Sequence, residues 1–222
     1  MSTPKGFAVA IDGPVGVGKS TTAKEVARRL NMTYVDTGAM YRAIALYNLR
    51  SGTDRNNEPA IIASLPHISI TQNRQQILLN GEDITQSIRT QEISEYTSVV
   101  ASYGAVRDKL LSIQQELGAN GEVVMDGRDI ASRILPWAQV KIYLDADAKE
   151  RARRRAGDLA TKGQPANLEQ IYQETLIRDH RDITRAHSPL TKTADAILID
   201  TTNLTMEETI QKIIKYVQTA RR

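Results

Sequence analysis

Gly13-Pro14-Val15-Gly16-Val17-Gly18-Lys19-Ser20, with Thr21 directly behind it, constrains this chain more than any other stretch. It is a Gly-x-x-x-x-Gly-Lys-Ser pattern, whose glycines let backbone N–H groups converge on an anion. The context gives the match its meaning. Gly6 to Ile11 is a short apolar run of strand length, and from Thr21 to Leu30 the residues Ala23, Val26, Ala27 and Leu30 recur at helical spacing. A strand, a glycine loop and a helix in that order place the helix N-terminus, with its partial positive charge, at a bound phosphate. Lys19 is expected to reach the outer phosphates, and the Ser20 hydroxyl to ligate Mg²⁺. Gly13 to Thr21 are therefore the expected donor-nucleotide contacts.

The rest of the composition excludes more than it selects. A chain of 222 residues can bury a substantial core as one large domain, or as one domain with an insertion. The net charge is only +3, so the overall balance carries no signal for nucleic acid, although the arginines are clustered. With no cysteine, disulfides and thiolate chemistry are excluded, and zinc would depend on three scattered histidines. No apolar run approaches the ~20 residues of a membrane helix, and the N-terminus shows no signal-peptide pattern. The expectation is a cytoplasmic protein.

Strand and helix patterns alternate along most of the chain. Asn31 to Val35 reads as a strand running into Asp36-Thr37-Gly38-Ala39-Met40-Tyr41-Arg42, where Asp36 or Thr37 would cap a helix from about Ala39 to Leu49. Arg42 opposes the helix dipole in that first turn, a placement better explained by a guest anion than by helix stability. A polar loop, Thr53 to Pro59, and a short apolar helix follow. The period then changes: His67 to Thr71 alternates, Gln72 to Arg74 is a turn, Gln75 to Leu79 is a second strand, and Asn80-Gly81 is a hairpin signal into Glu82-Asp83-Ile84. This reads as a small antiparallel sheet inserted at about 60–90. A helical stretch from Thr90 to Leu117, with a possible break near Gly104, leads to a strand at Glu122 to Met125. That strand ends in Asp126-Gly127-Arg128-Asp129, a charged quartet where open parallel sheets bind ligands. Gln139 to Leu144 is another strand, with Asp145 expected to cap the next helix.

Arginines crowd the last third. Arg151, Arg153, Arg154 and Arg155 fall within one and a half helical turns, and Gly157 to Pro165 is loop-like. On a helix from Asn167 toward Ala186, Arg178, Arg181, Asp182 and Arg185 share one face. Such runs are often solvated faces, but two arginine-rich helices joined by a Gly/Pro-containing loop suggest a lid over polyphosphate. Ala196 to Ile199 and Thr205 to Ala220 close the chain as a strand and a helix. The fold class expected is a doubly wound, five-stranded parallel α/β sheet with a lid and an inserted small sheet. Two functional classes remain: a phosphotransferase and a nucleotide-regulated binding protein such as a GTPase. No Asn-Lys-x-Asp guanine motif occurs. Arginine-dense segments fall in several places, which suits phosphoryl transfer between two anions.

Together with the phosphate loop, the blocks Asp36 to Arg42, Ile88-Arg89-Thr90-Gln91-Glu92, Asp126 to Asp129 and Arg178-Asp179-His180-Arg181-Asp182 resemble bacterial cytidylate kinases over nearly the whole chain. The resemblance implies transfer of the ATP γ-phosphoryl to CMP or dCMP with Mg²⁺. It also implies small-molecule partners only, no nucleic acid or membrane, and a monomer. Helices at 37–60 and 91–108 would bind the monophosphate, 60–90 would be the inserted sheet, and 148–166 the lid, with Arg154 over ATP. Thr37, Arg42, Arg128 and Arg185 would hold the monophosphate and transferring phosphoryl, and Tyr41 would also belong to the substrate site. Ser98, Arg107 and Asp129 would face the cytosine, and Arg178 and Asp182 the sugar. Lys19, Asp126, Arg128 and Arg185 would serve the transfer itself. Val15 and Val17 depart from the small residues usual at those loop positions.

Overall fold

The computed structural model describes residues 6–73, 76–119, 121–161 and 163–222. Arg74 and Gln75, the end of the expected turn and the first residue of the expected strand, lie outside them, as do residues 1–5.

In chain order the elements are β1 (Ala8–Asp12), α1 (Lys19–Arg29), β2 (Thr33–Asp36), α2 (Thr37–Arg50) and α3 (Glu58–Ser64). Then come β3 (Ile70–Asn73), β4 (Gln76–Leu79), β5 (Glu82–Asp83), α4 (Gln91–Val100) and α5 (Gly104–Ala119). The chain finishes with β6 (Val123–Gly127), β7 (Val140–Asp145), α6 (Ala148–Thr161), α7 (Leu168–Thr184), β8 (Ile197–Asp200) and α8 (Met206–Ala220). Five strands form one parallel sheet in the order β2-β6-β1-β7-β8, and β3-β4-β5 form a separate three-stranded sheet whose described pairs are antiparallel.

Alternation along β1 explains the layering. Val9 and Ile11 face α1 and α8, joining Val26, Ala27, Ile213 and Val217 in one core. Ala8 and Ala10 face the opposite side, where α2, α4 and α5 pack with Met40, Ile44, Val106 and Leu110. Ile70, Ile77, Leu79 and Ile84 of the inserted segment belong to that second core. The insertion therefore shares its apolar support with α2 instead of standing on its own.

Several local readings are corrected. The helix after β2 starts at Thr37, two residues before the expected Ala39, because the Asp36 carboxylate accepts from Ala39 N at 2.9 Å and fixes the cap there. By contrast, the break looked for near Gly104 is there: the stretch from Thr90 is two helices, separated at Ala101–Tyr103. Gly157 does not end α6, which continues to Thr161, since a lone glycine costs a helix only about 1 kcal/mol. The cap of α6 is Asp147, which accepts from Lys149 N and Glu150 N, and not Asp145. Between Asp129 and Leu135 the chain makes a wide π-helical turn, closed by Ile134 N and Leu135 N reaching back five residues. No helix among the described residues is long and apolar enough to cross a membrane.

Candidate active site

All five parallel strands end on aspartates, Asp12, Asp36, Asp126, Asp145 and Asp200, apart from one further glycine on β6. The carboxyl edge of the sheet is thus negative, and the groups packed over it determine what it can hold.

Between β1 and α1 the chain turns through Gly13, Gly16 and Gly18, all with positive φ (149°, 77° and 88°). At Gly13 a Cβ would run into the Leu144 carbonyl oxygen, so only glycine fits. Helix α1 has no side-chain N-cap and no acidic residue in its first turn, leaving its N-terminal N–H groups to an external acceptor. Val17 is buried in the core beneath the loop, which accommodates the larger side chain at that position. Lys19 is buried and donates to Pro14 O, and burial, then Arg128, push its ammonium well below the usual lysine range.

The second group sits at the ends of β2 and β6. Ser20 Oγ donates to Asp126 Oδ2 and Tyr34 OH to Asp126 Oδ1, both at 2.8 Å, while Thr37 Oγ1 donates to the Asp126 carbonyl at 2.6 Å. Burial raises the Asp126 carboxyl above the ordinary range, and its strand neighbour Asp36 adds to the effect. No cluster of three or more His, Cys, Asp or Glu forms a ready-made metal cage among the described residues. A hydroxyl paired with one carboxylate nevertheless suits Mg²⁺, which usually takes one or two carboxylates plus phosphate and water oxygens. A cavity of about 910 Å³ adjoins this pair, lined in part by Ser20, Thr21, Tyr34, Asp36, Gln72 and Arg89.

The third group is a knot of arginines. Arg128 Nε donates to Asp182 Oδ2 at 2.7 Å, and Arg185 Nη1 to Asp182 Oδ1 at 3.3 Å. Arg185 Nη2 and Arg42 Nη1 are buried with no hydrogen-bond partner, and Arg42 Nη1 is 3.9 Å from the Asp36 carboxylate. Burial lowers Arg42, Arg178 and Arg185 from the usual arginine range, Arg178 to about 10, and other guanidinium groups push the same way: Arg89 on Arg42, Arg128 on Arg178 and Arg107 on Arg185. Crowded, under-bonded cations of this kind are a site for an anion.

Beside the knot, Arg107 is only 3% exposed. Its Nη2 donates to Asp129 Oδ2 at 2.5 Å and Nη1 to Ala101 O at 3.0 Å, while Nε has no partner. The ring of Tyr41 lies 5.3 Å from the guanidinium centre. Ser98 Oγ accepts from Arg181 Nη1 at 2.5 Å. Arg154, expected over the donor, donates to Thr201 O at 2.6 Å and lies at the turn after β8. Arg155 donates across to Gln91 of α4 at 3.0 Å.

Two residues of this assembly went unread in the sequence. The Asp12 carboxylate accepts from Ile130 N and Ala131 N at 2.9 and 2.8 Å, tying the phosphate loop to the turn after β6, and burial pushes its carboxyl up to about 6. Its place at a strand end directly before the loop was the available signal. Tyr34 offered none, since an alternating strand residue reads as packing.

A family model described as Cytidylate kinase matches residues 9–219. The chain belongs to the cytidylate kinase family. Similar family members include a cytidylate kinase of Bacillus licheniformis, 45% identical over 96% of each chain, and one of Pediococcus pentosaceus, 43% identical over 96% of each. Among solved structures, a gluconokinase from Sinorhizobium meliloti shares the fold at a TM-score of 0.53 and 11% identity, covering 96% of this chain and 92% of its own.

Proposed function

We propose that the chain transfers the γ-phosphoryl group of ATP to CMP or dCMP, giving ADP and CDP or dCDP. The observation that carries this reading is the pair of unpartnered, buried guanidinium nitrogens on Arg42 and Arg185, set beside a buried Arg107–Asp129 pair. A dianionic phosphate answers the first feature and a cytosine the second.

The donor's phosphates lie along the loop from Gly13 to Thr21, where backbone N–H groups and Lys19 receive them. Mg²⁺ would be held by Ser20 with Asp126 close by, and it supplies charge neutralisation on the donor's phosphate oxygens when bound. Thr37 and Tyr34 orient Asp126 from either side. Arg42, Arg128 and Arg185 hold the acceptor phosphate and the phosphoryl in flight, and Arg178 and Asp182 take the sugar hydroxyls. Such a site accelerates transfer chiefly by positioning and by charge already in place. Residues 148–166 form the lid, with Arg154 on its donor side. A monomer acting in the cytoplasm is the proposed active unit, as the family resemblance implies.

The base is read by complementarity. Cytosine offers an exocyclic amine as donor and N3 and O2 as acceptors. The Asp129 carboxylate accepts from the amine, and the free Arg107 Nε–H faces an acceptor. Incubating CMP, dCMP, UMP, AMP and GMP with ATP and Mg²⁺, and following ADP, tests this. CMP and dCMP should exceed UMP in kcat/KM by about 10-fold or more, the worth of a mismatched buried hydrogen bond. Turnover of AMP or GMP equal to that of CMP would refute it.

A further inference from the structure

Arg151 was expected in a lid over polyphosphate, yet it is only 6% exposed and serves protein acceptors. Its Nε donates to Ala146 O at 2.9 Å, and its Nη1 donates to Val15 O at 2.9 Å and pairs with Asp179 Oδ2 at 2.6 Å. The other Asp179 oxygen accepts from Val15 N at 3.3 Å. One buried ion pair, with Arg151 from α6 and Asp179 from α7, therefore grips both the N–H and the C=O of a single phosphate-loop residue. The backbone is close as well: a Cβ on Gly16 would meet Arg151 Cβ at 3.4 Å and Arg151 O at 3.6 Å.

We propose that Arg151 and Asp179 are positioning residues for the donor nucleotide, clamping Val15 so that the shape of the phosphate loop is set by the two lid-side helices. This rests on the phosphate loop being the donor site. A loop rich in positive-φ glycines has many accessible shapes, and its N–H groups converge on phosphate in few of them. The clamp removes that freedom at Val15, one residue before Gly16, and it occupies a single loop N–H, that of Val15. It also explains why this Arg–Asp pair lies so deep: the planar guanidinium presents separate nitrogens to Ala146 O and to Val15 O and Asp179, a fork that the single nitrogen of a lysine does not reproduce.

The test uses Asp179→Asn, Arg151→Lys, Arg151→Met and the double variant Arg151→Met/Asp179→Asn in the full chain. Affinities for a non-hydrolysable ATP analogue and for CMP are measured separately by calorimetry, with thermal melting alongside. Each single variant should bind the ATP analogue about 10-fold or more weakly, since small misplacements of a preorganised site carry such costs. CMP affinity should stay within about 2-fold, and the double variant should bind the ATP analogue no more weakly than the worse single one, as for residues acting through one contact. Wild-type affinity for the ATP analogue in variants that merely melt lower would overturn the clamp, as would additive losses in the double variant. Where the double variant does not fold, Arg151→Lys/Asp179→Asn gives the same comparison. Lys19→Ala separates the two ideas: if it retains full turnover, the donor-site reading itself fails, whereas a loss there beside unaffected clamp variants defeats the clamp alone.

Discussion

In the proposed site Asp129 is the carboxylate that would tell two pyrimidines apart. Held by Arg107 at 2.5 Å, it would present its remaining acceptor capacity to a base. Facing uracil it would meet a carbonyl oxygen instead of an amine, a mismatch of ~1–3 kcal/mol, and more for a charged group. Asp129→Ala should lower kcat/KM for CMP by about 10-fold or more beyond its effect on UMP, shrinking the ratio between them. The two efficiencies in wild type and variant measure this, and an unchanged ratio would mean that Asp129 only holds Arg107 in place. Legibility at this scale followed chemistry. Lys19 and Ser20 stand in a phosphate-loop pattern and the Asp126 to Asp129 quartet at a strand end, so the sequence marked them as candidates. Arg151 and Asp179 looked like members of the same charged runs as their neighbours, and only burial distinguishes the clamp from the exposed Arg153. Asp12 and Tyr34 act through partners more than ninety residues away in sequence, Ile130 and Ala131 for one and Asp126 for the other, which no local pattern encodes.

Helices α6 and α7 pack on each other, and their arginines reach both halves of the site. Arg151 and Asp179 engage the phosphate loop, Arg155 reaches Gln91, and Arg181 reaches Ser98 on α4. If this pair is the lid, saturation with a two-substrate analogue should slow amide exchange in the second half of α6, from Gly157 to Thr161, by about 10-fold or more, because closure suppresses local opening. Hydrogen exchange with mass readout tests it, and unchanged exchange at saturation would make this a solvated helix face. At the element scale the parallel strands were read within two residues at each end. The inner strands β1 and β6 are buried on both faces, and a buried strand shows as an unbroken apolar run. The inserted sheet was legible from its alternation and the Asn80-Gly81 turn, where both residues take positive φ. Helix ends were harder, because Asp36 and Asp147 compete with adjacent residues that cap equally well in principle.

In the proposed complex two nucleotides lie on opposite sides of one arginine knot, with the loop from Gly13 to Ser20 on one side and the Arg107–Asp129 pair on the other. The insertion supports this arrangement from behind, since its apolar residues share a core with α2, the helix that carries Arg42. Linking the two ligands in one molecule probes both sides together. An analogue joining cytidine to adenosine through a polyphosphate chain can fill both sides at once, and its affinity is compared by calorimetry with those of ADP, CMP and the matching uridine-bearing analogue. The account predicts binding about 10²-fold or more tighter than either single nucleotide, from the effective concentration that linkage confers, and a clear loss when uridine replaces cytidine. An analogue that binds no better than ADP alone, or equally well with uridine, would contradict it.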